Sequence, residues 1–357
     1  MNSLNQDWDP HGFTRHFGKC LIVQITAQCP LECAHCSVSS GPDRTEQFTT
    51  DELTALIHDI ADDGRTELVV LSGGEPFLKR ERLAAVLEAL HANGLKAGIT
   101  TSASWAPTEA RARQMLESLK YEVISELAFS ADRHHLPFLS LEHVKNGINA
   151  ALSLGIAVNA FICLDGEKDD FLDRFRAEMG PEIMERIGVR LANTHVAGRA
   201  ARRREFEAIR RPVPFEDLPD QVCNSPAAPA ITPEGRLMAC CGDNMADAEN
   251  WPALQLGDVR QDDYGAMLDD ADRDLLIQAL RVFGPKHLAG IAIEAGALRP
   301  PEADSRNICD ICRRGVTNEQ ALAAIRDWLR DPDVQAEISV RRFLMYEELS
   351  TVQSEAS

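Results

Sequence analysis

Short β-branched and aliphatic runs alternate with helical patterns along residues 20–197, and this rhythm admits few folds. Residues 21–26 form an apolar run that leads into a cysteine-rich loop. Thr49-Thr50-Asp51-Glu52 has capping-box spacing, and Leu53, Leu56, Ile57 and Ile60 continue it as a helix that Gly64 ends. Residues 67–72 read as a second strand, closed by Gly73-Gly74, and 79–92 as a helix stopped by Asn93-Gly94. The pair recurs as strand 96–102 with helix 107–120, strand 126–130 with helix 141–154, and strand 156–163 with helix 171–187. Residues 189–196 supply a sixth strand.

Short connections between alternating elements require a parallel sheet with helices outside it. Right-handed crossovers curl such a sheet toward a barrel, and six strands leave it incomplete. The expected fold is therefore α/β, a partial (β/α)6 TIM-like barrel with its chemistry at the C-terminal strand ends. The cysteine loop, Gly73-Gly-Glu-Pro76, Ser130 and Asp132 all fall just after strands, on that edge. The rhythm stops after Ala200. Pro233-Glu-Gly235 reads as a turn between runs 230–232 and 236–239, hence a hairpin. Residues 265–282, 317–329 and 334–349 read as helical and 284–306 as irregular. The expected division is an N-terminal extension (1–18), the barrel (19–200), a cysteine-bearing domain (201–316) and C-terminal helices (317–357).

Composition narrows the function classes. No apolar run approaches the roughly 18 residues of a membrane span. Asp7, Asp9, Arg15 and Lys19 interrupt any signal-peptide pattern, so a cytoplasmic protein without a membrane partner is expected. A net charge of −19 argues against a nucleic-acid partner, whose phosphates need a basic stripe. The basic run Arg199–Arg204, with Arg210 and Arg211 beyond, reads either as a solvated face or as a local anion contact. The ten cysteines fall mainly into three groups, Cys29/33/36, Cys223/240/241 and Cys309/312, with Cys20 and Cys163 apart. Clustering of that kind in a cytosolic chain reads as metal ligation or catalytic thiols.

Cys29-x3-Cys33-x2-Cys36 offers three thiolates, which suit a [4Fe–4S] cluster and leave one iron open. A zinc site completed by His35 is the other reading. In this spacing the triplet resembles the signature of the radical S-adenosylmethionine (SAM) superfamily, and Gly73-Gly-Glu-Pro76 resembles that family's Gly-Gly-Glu-Pro motif. The resemblance covers residues 18–200. It implies that SAM chelates the open iron and that its reductive cleavage yields a 5′-deoxyadenosyl radical, which abstracts a substrate hydrogen. It also implies a low-potential electron donor such as flavodoxin or ferredoxin. By matched position, Gly73, Gly74 and Glu75 would meet the SAM amino group, and Thr101, Ser102 and Ser130 would contact SAM. The last three could equally be strand-end caps. Gly198-Arg-Ala200 resembles the barrel exit of cluster-bearing relatives.

Asp132 is a candidate catalytic carboxylate at the barrel mouth, or else a loop cap. One of His134 and His135 is expected to face the site and the other to be solvated. Lys168, Asp169 and Asp170 read as a helix start. Cys163 either packs in the core or lines the barrel and donates a hydrogen atom, as in radical epimerases. Cys223-x11-Gly235-x4-Cys240 followed by Cys309-x2-Cys312 resembles the twitch domain, a short form of SPASM holding a second, auxiliary [4Fe–4S] cluster. A structural zinc on those four residues, and Cys241 in place of Cys240, are the alternatives. An auxiliary cluster would accept an electron, bind substrate or support the fold. The first expectation for substrate is a sugar, aminocyclitol or nucleoside undergoing dehydrogenation, epimerisation or decarboxylation. The second is a ribosomal precursor peptide, disfavoured by the short stretch before the first strand. A non-enzymatic cluster scaffold is the remote third.

Overall fold

The computed structural model describes residues 16–355 apart from 167, 195, 210–212, 241, 243–244, 246–247 and 301–307, with backbone only at 207–209 and 346–355. The chain divides into two compact units. The first holds Leu21–Arg203 and Ile231–Gly235; of the described residues, the second holds 16–20, Arg204–Ala230 and those from Arg236 onward.

The first unit runs β1 (Cys20–Thr26), α1 (Thr50–Asp63), β2 (Leu68–Gly73), α2 (Arg80–Ala92), β3 (Lys96–Thr101), α3 (Glu109–Glu117) and β4 (Ile124–Ser130). It continues through α4 (Leu141–Ser153), β5 (Ala157–Leu164), α5 (Phe171–Met179), α6 (Pro181–Met184) and β6 (Gly188–Asn193). The strands lie in the order β6-β5-β4-β3-β2-β1. Neighbours from β2 to β6 pair in parallel, with one register irregularity between Ala97 and Gly98. This is the partial-barrel sheet that the β-α rhythm requires.

The helices form because their apolar stripes have somewhere to go. Thr49 caps α1 in a full capping box, and Leu53, Leu56, Ile57 and Ile60 are buried along one face. Full burial of each such side chain contributes about 1.5–3 kcal/mol, which outweighs the tenths at stake in helix propensity. In β5, Val158, Ala160 and Ile162 are buried in period two, so Asn159, Phe161 and Cys163 share the opposite face.

Beyond the sixth strand, Gly235 N donates to Thr232 O at 2.9 Å in the turn between β7 (Ala230–Ile231) and β8 (Arg236–Met238). β8 pairs antiparallel with β9 (Gln255–Asp258). Six helices follow in the described residues: α7 (Tyr264–Arg273), α8 (Leu275–Val282), α9 (Pro285–Glu294), α10 (Ile308–Thr317), α11 (Glu319–Trp328) and α12 (Pro332–Glu355). No described helix is long and apolar enough to cross a membrane.

Several helices depart from expectation for local reasons. Pattern 171–187 breaks at Gly180-Pro181, where proline opens α6 at its first turn. Pattern 265–282 breaks at Asp274, whose carboxylate accepts from Leu276 N at 2.8 Å and Ile277 N at 3.0 Å and so starts α8. The segment expected to be irregular contains α9: Pro285 sits in its first turn, and Leu288, Ala289 and Ala292 are buried. Glycines 284, 290 and 296 had masked that stripe. α10 precedes the expected 317–329 helix, which begins after the Asn318 cap.

Candidate active site

The cysteine loop follows β1. Cys29 and Cys33 are buried and Cys36 is half-buried. The loop is internally braced: Cys29 N donates to Gly41 O at 3.0 Å and Cys36 N to Cys33 O at 3.2 Å. Ser40 N donates to Cys36 Sγ at 3.3 Å. Burial pushes the Cys29 thiol up to about 12, against a backbone hydrogen bond from Leu31. Such a thiol loses its proton only to a metal or a cation. His35 Nδ1, Ser39 Oγ and Ser40 Oγ in the same loop are buried without a hydrogen-bond partner. Three soft donors on one short loop, beside orphaned polar atoms, fit an iron–sulfur cluster.

The glycine turn after β2 is fastened to the same loop. Gly74 N donates to Thr26 O at 2.6 Å and Glu75 N to Gln28 O at 2.9 Å, one residue before Cys29. A Cβ on Gly73 would stand 2.3 Å from the Thr26 carbonyl oxygen, and one on Gly74 1.9 Å from that of Gln28. Gly73 also has φ +124°. Glycine is therefore required here by backbone meeting backbone.

Glu75 is 1 % exposed and its carboxylate is fully engaged. It accepts from Phe77 N at 3.2 Å, Thr101 Oγ1 at 2.8 Å, Ser102 N at 2.9 Å and Ser102 Oγ at 2.5 Å. Burial raises its pKa, and the bonds from Ser102 and Thr101 oppose that rise. The structure thus gathers Glu75, Thr101 and Ser102 in one cluster. Trp105 joins it by donating Nε1–H to Thr101 Oγ1 at 2.8 Å while stacking on Phe77 at 4.2 Å. Sequence reasoning missed both aromatics; their position just past strand ends was the available signal.

Ser130 ends β4, two residues before a second cluster. Asp132 is 1 % exposed. It accepts from His35 Nε2 at 3.0 Å, His135 Nδ1 at 2.8 Å and His134 N at 2.9 Å. His134 Nε2 bonds Asp165 Oδ1 at 2.9 Å, which also accepts from Thr194 Oγ1 at 2.6 Å. His35 stacks on His134 with centroids 4.6 Å apart. Both histidines are therefore drawn inward, where one was expected to be solvated. Asp169 does serve the start of α5, accepting from Phe171 N at 3.0 Å, but it also binds Arg133 at 2.6 Å.

The electrostatics sort these groups. Burial alone would raise the Asp132 pKa, but bonds from His135 and His35 hold the carboxyl well below the usual range. Burial works against the His135 cation, yet Asp132 and the Cys33 side chain lift its pKa to about 10. Burial lowers His35. Asp132 and His135 form an ion pair, while neutral His35 donates through Nε2 and keeps Nδ1 as an acceptor, the tautomer its bond to Asp132 requires. The donor atoms of His35, Asp132 and Cys163 lie within 4.8 Å of one another. Burial, then Asp132 and Asp165, push the Cys163 thiol up to about 12, so it keeps its hydrogen at neutral pH.

The cysteines expected to hold a second cluster all lie in the second unit. Cys223 N donates to Leu280 O at 3.1 Å, and Cys240 Sγ accepts from Gly242 N at 3.3 Å just after β8. Cys309 and Cys312 stand one turn apart on α10. Cys241 lies outside the described residues, as do Arg210 and Arg211. The basic run divides: Arg202, Arg203 and Arg204 are exposed, whereas Arg199 is half-buried against the cysteine loop.

Residues 23–177 match the family model described as "Radical SAM superfamily", and the fold and site of the first unit agree with that match, so this stretch is a radical SAM domain. The family's cofactors are a [4Fe–4S] cluster and SAM. The chain is 21% identical over 310 residues to the Bacillus subtilis (strain 168) protein YydG, named for peptide biosynthesis, covering 83% of this chain and 91% of that one. It is 34% identical over 84 residues to the PqqA peptide cyclase of Bradyrhizobium diazoefficiens, 23% of this chain and 22% of that one. Among solved structures, Streptococcus suis SuiB bound to precursor peptide SuiA shares the fold. Its TM-score is 0.53 and its identity 14%, over 75% of this chain and 67% of that one.

Proposed function

We propose that this enzyme modifies a peptide, and that it does so by returning a hydrogen atom to the carbon from which one was taken. The observation that carries the peptide reading is the match to a protein named for peptide biosynthesis, spanning 83% of this chain and both of its units. It favours the precursor-peptide expectation over the sugar, aminocyclitol or nucleoside one.

In this reading Cys29, Cys33 and Cys36 hold the cluster. Gly73 and Gly74, with Glu75, Thr101, Ser102 and Ser130, form the SAM-binding edge. The cofactor pair supplies a 5′-deoxyadenosyl radical that removes one substrate hydrogen. The chain's own groups carry the later steps. The ionised Asp132, fixed by His35 and His135, accepts a hydrogen bond from a substrate amide and orients it. Cys163, whose thiol stays protonated, donates its hydrogen atom to the substrate radical and is left as a thiyl. An electron from a low-potential donor such as flavodoxin or ferredoxin and a proton from solvent restore the thiol. Cys223, Cys240, Cys309 and Cys312 would hold an auxiliary cluster, which would supply electron-transfer chemistry.

The test uses anaerobically reconstituted enzyme, a precursor peptide from a neighbouring gene, and D2O. The peptide should stimulate 5′-deoxyadenosine release and gain one deuterium on carbon. Cys163→Ala should still cleave SAM but yield no deuterated product. Stimulation by a sugar or nucleoside instead of the peptide would overturn the substrate assignment. Full deuterium incorporation by the Cys163 variant would overturn its role.

A further inference from the structure

The chain leaving β6 returns to the cysteine loop. Arg199 NH1 donates to Cys33 O at 2.6 Å, 166 positions earlier in the sequence. NH2 donates to Ser40 O, and the Arg199 backbone N donates to Cys36 O at 3.0 Å. One residue therefore binds three loop carbonyls, two of them belonging to the triplet. Its neighbour is fitted to the same surface. A Cβ on Gly198, at φ +54°, would stand 2.2 Å from Ser37 O and 2.7 Å from Cys36 O.

This arrangement fixes the loop's polarity. Ser40 is held at both ends: Arg199 takes its carbonyl, while its N–H points at Cys36 Sγ from 3.3 Å. Hydrogen bonds onto cluster sulfurs and nearby charge set the potential of an iron–sulfur centre. The planar guanidinium fork reaches two carbonyls at once, which the single ammonium of lysine does not do in the same geometry. A solvated cation would make none of these contacts, and Arg202–Arg204 in the same run are exposed.

We infer that Arg199 is a positioning residue for the cluster, holding the cysteine loop in its ligating shape and aiming the Ser40 N–H at the Cys36 sulfur. The inference rests on the assignment of the triplet to the cluster, and the experiment separates the two. Full-length wild type, Arg199→Gln, Arg199→Lys and the exposed control Arg202→Gln are reconstituted anaerobically. Each is read for iron loss to a chelator, midpoint potential, thermal midpoint, and the reduced EPR signal that changes when SAM is added. Arg199→Gln should weaken iron retention by about 10- to 100-fold, the usual cost of losing an outer partner of a metal ligand. Its potential should fall and its EPR signal should shift, while the Arg202 control matches wild type. Arg199→Lys keeps the charge but not the fork, so it should show the same changes in smaller measure.

Retention, potential and signal unchanged in Arg199→Gln would overturn the proposal. If that variant does not fold, a lysine variant indistinguishable from wild type overturns it equally. A SAM-responsive signal that survives Cys29/33/36→Ala would instead overturn the triplet assignment.

Discussion

A carboxylate that holds two imidazoles is the centre of the site at the scale of single residues. Asp132 is ionised because His35 and His135 surround it, and His135 is a cation because Asp132 faces it. These shifts set the sign of the pH dependence. His135 has a folded pKa of about 10 against an ordinary 6.5, so its contribution is complete below 6.5 and is lost as pH rises through about 10. Asp132 is depressed from 3.8, so its contribution is present above 3.8 and is lost as pH falls below that. Asp132→Asn strands a buried cation and should cost about 3–5 kcal/mol. Urea unfolding of metal-free protein should show that deficit fully between pH 4 and 6.5, shrinking toward pH 10. A deficit independent of pH would refute the ion pair. Asp132 was legible in the sequence as a residue just past a strand. The inward turn of both histidines was not: His134 is held by Asp165 and, through it, Thr194 from two other strand ends, and His135 by Asp132 itself.

Among the elements, the turn after β2 shows how a motif does two tasks. Gly73-Gly-Glu was readable as a signature whose residues would meet the SAM amino group, and its glycines have a further task. In the structure they admit the backbone of Thr26 and Gln28, and Glu75 then gathers Thr101 and Ser102. The motif thereby ties three strand ends together. Gly74→Ala forces a methyl against the Gln28 carbonyl and should destabilise the barrel by about 1–3 kcal/mol, with the cysteine loop displaced. Chemical denaturation and iron content after reconstitution check this; an unaltered midpoint and full loading would contradict it. Helix α9 was the element least legible, since glycine-rich local composition conflicted with an apolar stripe that only tertiary packing rewards.

For the whole molecule, the six-fold β-α alternation was the readable part because each unit of it is local. The second unit was readable mainly through its cysteines, whose spacing says which residues belong together but not which elements carry them. α10 presents Cys309 and Cys312 on a helix where an irregular segment had been expected just upstream. Reconstituted protein should bind about eight irons per chain, falling to about four in Cys29/33/36→Ala and again to about four in Cys223/240/309/312→Ala. Zinc in place of the second group of irons would refute the auxiliary cluster.

The bridge from Arg199 to the carbonyls of Cys33 and Ser40 also sets a timetable for synthesis. The ribosome releases the triplet early, but its clamp is encoded 166 residues later, beyond the sixth strand. Contacts of such long sequence separation form last, after loop closure has been achieved by the intervening elements. The nascent chain therefore exposes three unclamped thiols until Arg199, 163 residues beyond Cys36, has been added, and the loop takes its clamped shape only after the sixth strand is in place.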